Sequence, residues 1–412
     1  MLFRSWSFAR DPRIRKIWFA PGNAGTAQLG SNLPFAATDV DGLVAWAEKE
    51  RPGLVVVGPE APLCAGLADR LRAKGLRVFG PGEDGARLEG SKSFCKELLV
   101  SEKIPTAKAG SFTVEKDALR FSASLSCPQV VKADGLAAGK GVVIAENHEQ
   151  AATAIHEMMA ARVFGEAGAT VLIEEFLDGE ELSVHAVTDG KNLVVLPGAQ
   201  DHKRVGEGDT GLNTGGMGAY APAPKATPEL LREVQEKILQ PTLAGLAKRK
   251  IDYRGVLYAG LMLTKDGPKV LEFNARFGDP ETEVLLPLLE TPLWDLLGAA
   301  ADGNLQGVRV RTTTGAAMTV VLAAPGYPAQ PVLGQPIRFG KGVADSAVFH
   351  AGTKADKDGV RVSGGRVMAV TGWGSSLENA RDRAYAAARE ICFEGMHYRR
   401  DIGHRALRKS PA

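Results

Sequence analysis

The sequence has few of the patterns that mark disulfide frameworks, metal centres or membrane segments. Only four cysteines occur, at Cys64, Cys95, Cys127 and Cys392. Their scattered spacing favours free thiols in a reducing compartment, and the seven histidines form no HExxH or paired pattern. No apolar run approaches the roughly 18 residues of a membrane span, and residues 2–8, interrupted by Arg4, are too short for a signal peptide. We therefore expect a soluble cytoplasmic protein.

An excess of charge of one sign is also missing. The sequence has 50 Lys and Arg against 48 Asp and Glu, a net charge of +2, so no overall field favours a membrane surface or nucleic acid. It also lacks a basic stripe and a stacking motif for nucleic acid. Any anion-binding site must be local. The 412 residues, 44% of them hydrophobic, predict two to four domains at about 100–200 residues each.

The most distinctive stretch is PQVVKADGLAAGKGVVI at residues 128–144. Two apolar runs flank a loop that holds three glycines between residues 135 and 141, and this pattern predicts a hairpin. Glycines let backbone N–H groups approach an anion closely. Lys132 and Lys140 add charge that suits an oligophosphate.

This loop differs from two familiar phosphate-binding loops. Three residues instead of four separate Gly135 from Gly139, and Gly141 instead of Ser or Thr follows Lys140, so it is not a Walker A loop. Nothing after Gly141 supplies the third glycine of a dinucleotide fingerprint. Taken alone, an ordinary hairpin with solvated lysines is an equally good interpretation.

The first hundred residues alternate short apolar runs with helical patterns, which favours a parallel sheet with helices on its faces. The patterns predict strands and helices at 14–19, 40–50, 54–57, 63–74 and 77–79. The loops after these strands then fall at one sheet edge, where such sheets bind ligands, although plain turns are the simpler interpretation. The glycine-free residues 1–10 are predicted to be helical, where a doubly wound unit needs its first strand.

Acidic residues follow a strand predicted over 171–177. They form either a solvated cluster or an adenosine-binding site. In the second interpretation the backbone of residues 175–177 contacts adenine, and Glu181 accepts hydrogen bonds from the ribose. A polar, glycine-rich stretch with QDHKR at 200–204 and NTGGMG at 213–218 is typical of a functional loop, because regular patterns flank it closely.

Two strands are predicted at 256–263 and 269–274. Strand alternation puts Glu272 and Asn274 on one face, and a carboxylate beside an amide oxygen suits Mg²⁺. Arg276 offers a planar fork to a phosphate or carboxylate. Asp279 and Glu281 open the next helix, where favourable interaction with its dipole also explains them.

Beyond residue 303 the composition changes. Four apolar segments, at 316–324, 336–340, 347–352 and 366–371, are separated by Gly/Pro turns. Ser375 and Glu378 predict a capping box for a helix over 377–391. This region is predicted to be a small α+β domain.

Together these motifs resemble one family. GSK at 90–92, VVKADGLAAGKGV at 130–142, IEEFLDGEELS at 173–183, QDHKR, NTGGMG and EFNARFGDPE at 272–281 occur in that order. With PGNAGT at 21–26 and VGPEAPL at 57–63, they are similar to the phosphoribosylamine–glycine ligases, or glycinamide ribonucleotide synthetases, of the ATP-grasp enzymes. The combination is specific, although each motif alone is not.

The resemblance implies an α/β and α+β multidomain fold. Its parts are an N-terminal doubly wound parallel sheet over 1–91 with its first strand apparently missing, an ATP-grasp domain over 92–302, and a C-terminal α+β domain over 303–412. It implies that ATP phosphorylates glycine to glycyl phosphate and that the amine of 5-phosphoribosylamine attacks it, a step of de novo purine biosynthesis. The expected cofactors are ATP and Mg²⁺ or Mn²⁺. The expected partners are the two small substrates, with no nucleic acid or membrane, and the chain is expected to be a monomer.

The resemblance also assigns residues. The ATP-binding residues it implies are Lys92, Lys132, Gly135, Lys140, Glu174, Glu175, Phe176, Leu177 and Glu181. Glu272 and Asn274 would bind the metal. Lys132, Lys203, Arg276 and Asp279 are the implied catalytic residues, and Asp201 with the 21–26 and 58–62 loops would serve the glycine and phosphoribosylamine side.

One departure from the family is a missing strand and glycine-rich turn of the GNGGREHA type before Trp6. Either the true start lies upstream, which we favour because the other motifs are intact, or this copy is impaired and binds ATP without full turnover. Another ATP-grasp enzyme, such as a carboxylase or a formyl-transferring purine enzyme, is the nearest rival, and NTGGMG and RFGDPE argue against it.

Overall fold

The computed structural model describes residues 2–135 and 141–407. The described residues up to Ser101 form six α-helices, a 3₁₀ helix (Thr26–Gln28) and two parallel strand pairs, β1 with β2 and β3 with β4. The elements are α1 (Leu2–Ala9), β1 (Trp18–Phe19), β2 (Ser31–Asn32), α2 (Val40–Glu50), β3 (Val55–Val56), α3 (Glu60–Cys64), α4 (Leu67–Ala73), β4 (Val78–Phe79), α5 (Glu83–Gly90) and α6 (Lys92–Ser101).

The two strand pairs remain separate within the described part of the chain. A cavity of about 440 Å³, lined by side chains that include those of β1 and β3, lies between them. Val55 and Val56 are consequently only half-buried, although their apolar run predicts a buried strand. The helix predicted for residues 1–10 is present as α1.

Two predicted boundaries in this region were wrong. The helix predicted over 63–74 divides into α3 and α4 because Gly66, with φ of 73°, adopts the left-handed conformation between them. The strand predicted over 14–19 is shorter in the structure and consists of β1 alone. Ile14 instead belongs to a turn, in which its N–H donates to the carbonyl of Asp11. The helix predicted over 40–50 is confirmed as α2.

The next segment forms an antiparallel sheet in the order β5-β8-β6-β7. Its elements are β5 (Ala109–Phe112), α7 (Glu115–Ser124), β6 (Gln129–Ala133), β7 (Val142–Ala145), α8 (His148–Met159) and β8 (Val171–Glu175). Strands β6 and β7 form the predicted hairpin, with Val130 opposite Ile144. Helices α7 and α8 pack on the sheet around buried side chains such as Val131, Ile155 and Ile173.

A second antiparallel sheet follows in the order β10-β9-β15-β16. The elements of this region are β9 (Glu180–Asp189), β10 (Leu193–Val195), β11 (Gln200–Asp201), β12 (Arg204–Gly206), β13 (Thr210–Asn213), β14 (Gly218–Ala221), α9 (Pro228–Val234), a π-helical turn (Gln235–Leu239), α10 (Gln240–Lys248), β15 (Arg254–Thr264), β16 (Gly267–Asn274), α11 (Thr282–Leu285) and α12 (Leu293–Ala301). The two strands predicted near 256–263 and 269–274 are present as β15 and β16.

The C-terminal elements complete a five-stranded sheet in the order β11-β14-β17-β22-β19. They are β17 (Ala316–Ala323), β18 (Arg338–Phe339), β19 (Ser346–His350), β20 (Thr353–Asp356), β21 (Gly359–Val362), β22 (Arg366–Gly374), α13 (Leu377–Arg389), β23 (Ile391–Cys392) and α14 (His404–Leu407). This sheet therefore contains strands from both sides of residue 303, and the predicted domain limits stay a prediction.

Helix α13 begins at Leu377 as predicted, but its N-cap lies one residue later than predicted. Ser376, not Ser375, is the N-cap, and its Oγ accepts a hydrogen bond from the Asn379 N–H at 3.2 Å. Ser375 Oγ instead donates to Asn379 Oδ1. Among the helices of the described residues, none is long and apolar enough to cross a membrane.

Candidate active site

A cavity of about 510 Å³, which we call the central cavity, brings together most of the charged residues that the sequence singled out. Strands β6 and β16, helix α6 and the loops near residues 58–60 and 201–215 supply its walls. The predicted residues that line it are Lys92, Lys132, Gly135, Glu174, Asp201, Lys203, Glu272, Asn274, Arg276 and Asp279. Their convergence defines the candidate active site.

Lys92 ties the start of α6 to the base of the glycine loop. Its Nζ donates to the carbonyls of Ala133 at 2.8 Å and Gly135 at 3.1 Å. The neighbouring Ser93 N–H donates to the Asp134 carboxylate at 2.6 Å. Burial lowers the pKa of Lys92, and Lys132 adds to this effect. The GSK motif and the hairpin are thus one unit, with an ammonium group beside the cavity.

Lys132 lies on β6 and pairs with Glu174 on β8. The other oxygen of the Glu174 carboxylate is 2.5 Å from Lys96 Nζ. Burial opposes the ionisation of Lys132 and Glu174, but the opposite charges outweigh it, so the pKa of Lys132 is raised and that of Glu174 is lowered. The Glu174 carboxylate therefore holds two ammonium groups in place.

Glu272 and Asn274 are presented on one face of β16, while Phe273 between them is buried in the core. The position of Glu272 inside the cavity opposes ionisation, but Lys203 and Lys132 outweigh that effect and lower its pKa. Among the described residues, no group of three or more Asp, Glu, His or Cys side chains is placed to hold a metal ion. One carboxylate and one amide oxygen fit a Mg²⁺ ion that takes its remaining ligands from phosphates and water.

The 201–204 motif adds a carboxylate and a third lysine. Lys203 Nζ lies 2.5 Å from Glu181 Oε2, and the Glu181 and Asp201 charges raise its pKa against the opposing effect of burial. Burial raises the pKa of Asp201 to about 7, Glu281 and Glu181 add to this, and Lys203 opposes it. Asp201 can therefore exchange a proton near neutral pH.

Arg276 follows β16 and lies among acidic groups. Its Nη2 is 3.0 Å from Glu89, and its Nε is 3.4 Å from Glu60 in the 58–62 loop. Nη2 also donates to Asn274 Oδ1 at 3.3 Å. Burial opposes the charge of Arg276, but Glu89 and Glu60 outweigh it and raise its pKa. The guanidinium is fixed beside the two candidate metal ligands.

Asp279 connects the cavity to the C-terminal part of the chain. Arg366, at the start of β22, lies 3.0 Å from the Asp279 carboxylate and donates to the Gly215 carbonyl at 2.6 Å. Burial opposes the ionisation of Asp279, but Arg366 lowers its pKa. The loop carrying NTGGMG and the loop carrying Asp279 are thereby joined by one guanidinium.

Several of the predicted ATP-binding residues lie outside the cavity lining. Glu175 Oε1 accepts from the Lys108 N–H at 2.9 Å, and Phe176, Leu177 and Glu181 do not line the cavity. Lys140 lies outside the described residues. The 21–26 loop packs on the C-terminal region, where Asn23 Nδ2 donates to the His350 carbonyl at 2.8 Å.

Sequence reasoning missed a buried polar group at the cavity wall. Tyr258 Oη and Ser183 Oγ both donate to Glu281 Oε1, at 2.5 and 3.0 Å. Burial and Glu281 raise the pKa of Tyr258 well above its ordinary value. Alternation along each strand indicates only which residues of that strand share a face. The pairing of β9 with β15 is what places Ser183 near Tyr258.

The sequence analysis also missed two cations that line the cavity, Lys96 and Arg366, and only the first has a local sequence signal. Lys96 lies one helical turn after Lys92, a spacing that puts both on one face of α6. Arg366 stands alone in a distant apolar strand, with no local motif around it. Its role depends on the order of strands in the five-stranded sheet.

Comparison with family models gives three consecutive matches. Residues 4–89 match the phosphoribosylglycinamide synthetase N domain, residues 90–282 its ATP-grasp (A) domain, and residues 317–405 its C domain. The matches cover most of the chain.

Individual relatives agree with these matches. The chain is 49% identical over 410 residues to a phosphoribosylamine–glycine ligase of Chlorobaculum tepidum, covering 98% of this chain and 96% of the relative. It is 47% identical over 411 residues to one from Salmonella typhi, with the same coverage.

Two solved structures superpose on this chain, and one of them is a phosphoribosylamine–glycine ligase. A phosphoribosylamine–glycine ligase from Thermotoga maritima superposes with a TM-score of 0.85 at 35% identity, covering 97% of this chain and 96% of that one. The biotin carboxylase domain of a Hydrogenobacter thermophilus 2-oxoglutarate carboxylase, solved with MgADP, gives a TM-score of 0.74 at 17% identity, with 96% and 89% coverage. The second likeness shows a shared fold alone.

Proposed function

The chain belongs to the phosphoribosylglycinamide synthetase family, and we propose that it joins glycine to 5-phosphoribosylamine at the expense of ATP, which is converted to ADP and phosphate, in purine biosynthesis. The products are glycinamide ribonucleotide, ADP and phosphate. The observation that carries the proposal is that four cations, Lys92, Lys132, Lys203 and Arg276, line the central cavity together with Glu272 and Asn274.

The reaction must first bring two anions together. The glycine carboxylate attacks the γ-phosphorus of ATP, the bond to the β-phosphate oxygen breaks, and glycyl phosphate and ADP form. Lys92 and Lys132 offset the repulsion and stabilise the charge on the phosphoryl group in transfer. Their ammonium groups are held beforehand, by backbone carbonyls for Lys92 and by Glu174 for Lys132, so little reorganisation is needed. Gly135 and Gly141 line the cavity beside these lysines, where exclusion of water would protect the glycyl phosphate.

Glu272 and Asn274 would hold Mg²⁺ or Mn²⁺, which would screen the phosphate charge when bound. Their oxygens suit a hard cation. The Glu272 carboxylate stays ionised because the surrounding lysines lower its pKa. The ion would add its positive charge to that of the lysines lining the same cavity.

In the second step the amine nitrogen attacks the carbonyl carbon of glycyl phosphate, and inorganic phosphate leaves. The nitrogen loses a proton as the amide bond forms. Asp201, with its pKa raised to about 7 by burial, is suited to accept that proton. Lys203, Arg276 and Asp279 line the same cavity as Asp201 and would hold the anionic and amino groups of the two substrates.

A coupled assay of ADP formation tests the proposal. We expect ADP release only when glycine and 5-phosphoribosylamine are both present. Release that depends on bicarbonate instead would favour an ATP-grasp carboxylase. ATP binding without glycine-dependent release would favour the impaired copy, an alternative that none of the relatives named above supports.

A further inference from the structure

The C-terminal segment, residues 397–405, lies against the 201–209 segment, which carries Asp201 and Lys203. Hydrogen bonds between backbone groups of one segment and side chains of the other join the two. The Gly403 N–H donates to His202 Nε2 at 3.2 Å, the Gly208 N–H donates to the Asp401 carboxylate at 2.8 Å, and His397 Nε2 lies 2.9 Å from the Val205 carbonyl. The two segments thus meet along most of their lengths.

Arg399 is the buried centre of this contact, with a fully inaccessible side chain. Its Nε and Nη2 donate to the two oxygens of Asp401, both at 2.8 Å. Its Nη1 donates to Asp209 Oδ1 at 2.9 Å and to the Arg204 carbonyl at 3.1 Å. This guanidinium therefore connects the C-terminal segment to the residue next to Lys203.

Arg405 extends the contact to Asp201 itself. Its Nη2 and Nε donate to Asp209 Oδ2 at 2.8 and 3.2 Å. Its Nη1 donates to the backbone carbonyl of Asp201 at 3.3 Å. Asp209 thus receives one arginine on each oxygen, and one of these arginines holds the backbone of a residue that lines the central cavity.

We propose that Arg405, Asp209 and Arg399 are positioning residues that fix Asp201 and Lys203 in the geometry needed for the glycine and phosphoribosylamine steps. None of the three lines the central cavity, so they act through the 201–209 segment. The inference rests on the proposed function, because it takes Asp201 and Lys203 to serve the substrates of that reaction. Lys92 and Lys132, which would hold the ATP phosphates, are on other elements. Glu181, the implied ribose ligand, pairs with Lys203, so ATP binding should depend on the cluster only weakly.

The test compares Arg405→Ala and Asp209→Asn with Arg400→Ala, a control that removes an exposed cation from the same segment. At saturating ATP we expect both cluster variants to lower kcat/KM for glycine by about 10²-fold, the penalty typical of a displaced catalytic group. The KM for ATP should change much less than kcat/KM for glycine. The thermal midpoint should fall modestly in the cluster variants, because Asp209 also pairs with the fully buried Arg399 and weakening a buried ion pair is destabilising.

Wild-type kcat and KM in both cluster variants would overturn the inference. Parallel increases in the KM values for glycine and ATP together with a lower thermal midpoint would also overturn it, since they indicate general destabilisation. If Arg405→Ala fails to fold, Asp209→Asn decides alone, because Arg399 keeps both bonds to Asp401 in that variant. Failure of the proposed function is seen separately, as a wild-type protein that releases no ADP with glycine.

Discussion

Lys96 Nζ lies 2.5 Å from Glu174 Oε1, inside the wall of the central cavity. The second oxygen of the same carboxylate pairs with Lys132. Lys96 also donates to Thr106 Oγ1 at 2.6 Å, so it is anchored on both sides. Two lysines thus share one buried anion, and only Lys132 is implied to touch ATP.

Lys132→Met should abolish most of the activity with little loss of stability. Removing one cation from a transferring phosphoryl group costs about 10²- to 10³-fold in kcat, while Glu174 keeps Lys96 as its partner. ADP formation and a thermal melt measure the two effects. A variant with wild-type kcat would refute the role of Lys132 in phosphoryl transfer.

Glu174→Gln should instead destabilise the protein, by about 3–5 kcal/mol, because two buried ammonium groups lose their anion. Urea unfolding measures the free energy of unfolding. Glu175→Gln is the matched control, since its carboxylate only accepts from the Lys108 N–H, and a change of about 1 kcal/mol is expected there. Equal losses in the two variants would contradict the bridging role of Glu174.

Glu272→Gln should raise the Mg²⁺ concentration needed for half-maximal ADP formation by at least about 10-fold, a loss that even outer-shell changes reach in metal sites. Glu290→Gln changes an exposed carboxylate and should leave the Mg²⁺ dependence unaltered. Treatment with a chelator should remove wild-type activity, and added Mg²⁺ should restore it. An unchanged Mg²⁺ requirement in Glu272→Gln would rule out this residue as a ligand.

Acid should destabilise the fold through two buried histidines. Burial lowers the pKa of His185 to about 4 and that of His202 to about 3, and each Nε2 accepts a backbone N–H, from Gly278 and Gly403 respectively. An unfolded histidine titrates near 6.5. Above that pH both states are neutral and this stability is fully present. Below it only the unfolded chain binds the protons, so the free energy of unfolding falls by about 1.4 kcal/mol per pH unit for each histidine, down to the folded pKa values.

Urea unfolding between pH 7.5 and 5 checks this slope. His202→Gln should flatten it, because the variant has one buried titrating group fewer. His156→Gln, which alters an exposed ring, should leave it unchanged. The same slope in all three proteins would show that other groups dominate acid unfolding.

The parts of the site that the sequence predicts are those whose chemistry is local. The hairpin at 129–145 and the shared face of Glu272 and Asn274 each follow from residues a few positions apart. The bond from Arg366 to the backbone carbonyl of Asp279 joins residues 87 positions apart. Its existence depends on the order β14-β17-β22 in the sheet, which no local periodicity encodes.

In the N-terminal region, too, local patterns predict the helices better than the strands. Its helices follow from local patterns, and α2 has the predicted bounds. The strands are shorter than predicted, because the length of a strand depends on its pairing partners and not on its apolar residues alone. Within the described part of the chain, β1 and β3 each pair with one neighbouring strand. The PGNAGT motif is local and conspicuous, yet its contacts are with the C-terminal region instead of the central cavity.

The five-stranded sheet makes the chain difficult to dissect. Strand β14 lies between β11 and β17, so a cut near residue 303 would strip one edge of β14 of its hydrogen bonds and uncover the fully buried Met217 and Tyr220. A fragment ending there should aggregate instead of behaving as a free-standing nucleotide-binding module. Expressing both pieces together, so that the sheet can reassemble, is the better route to a cleaved but working enzyme.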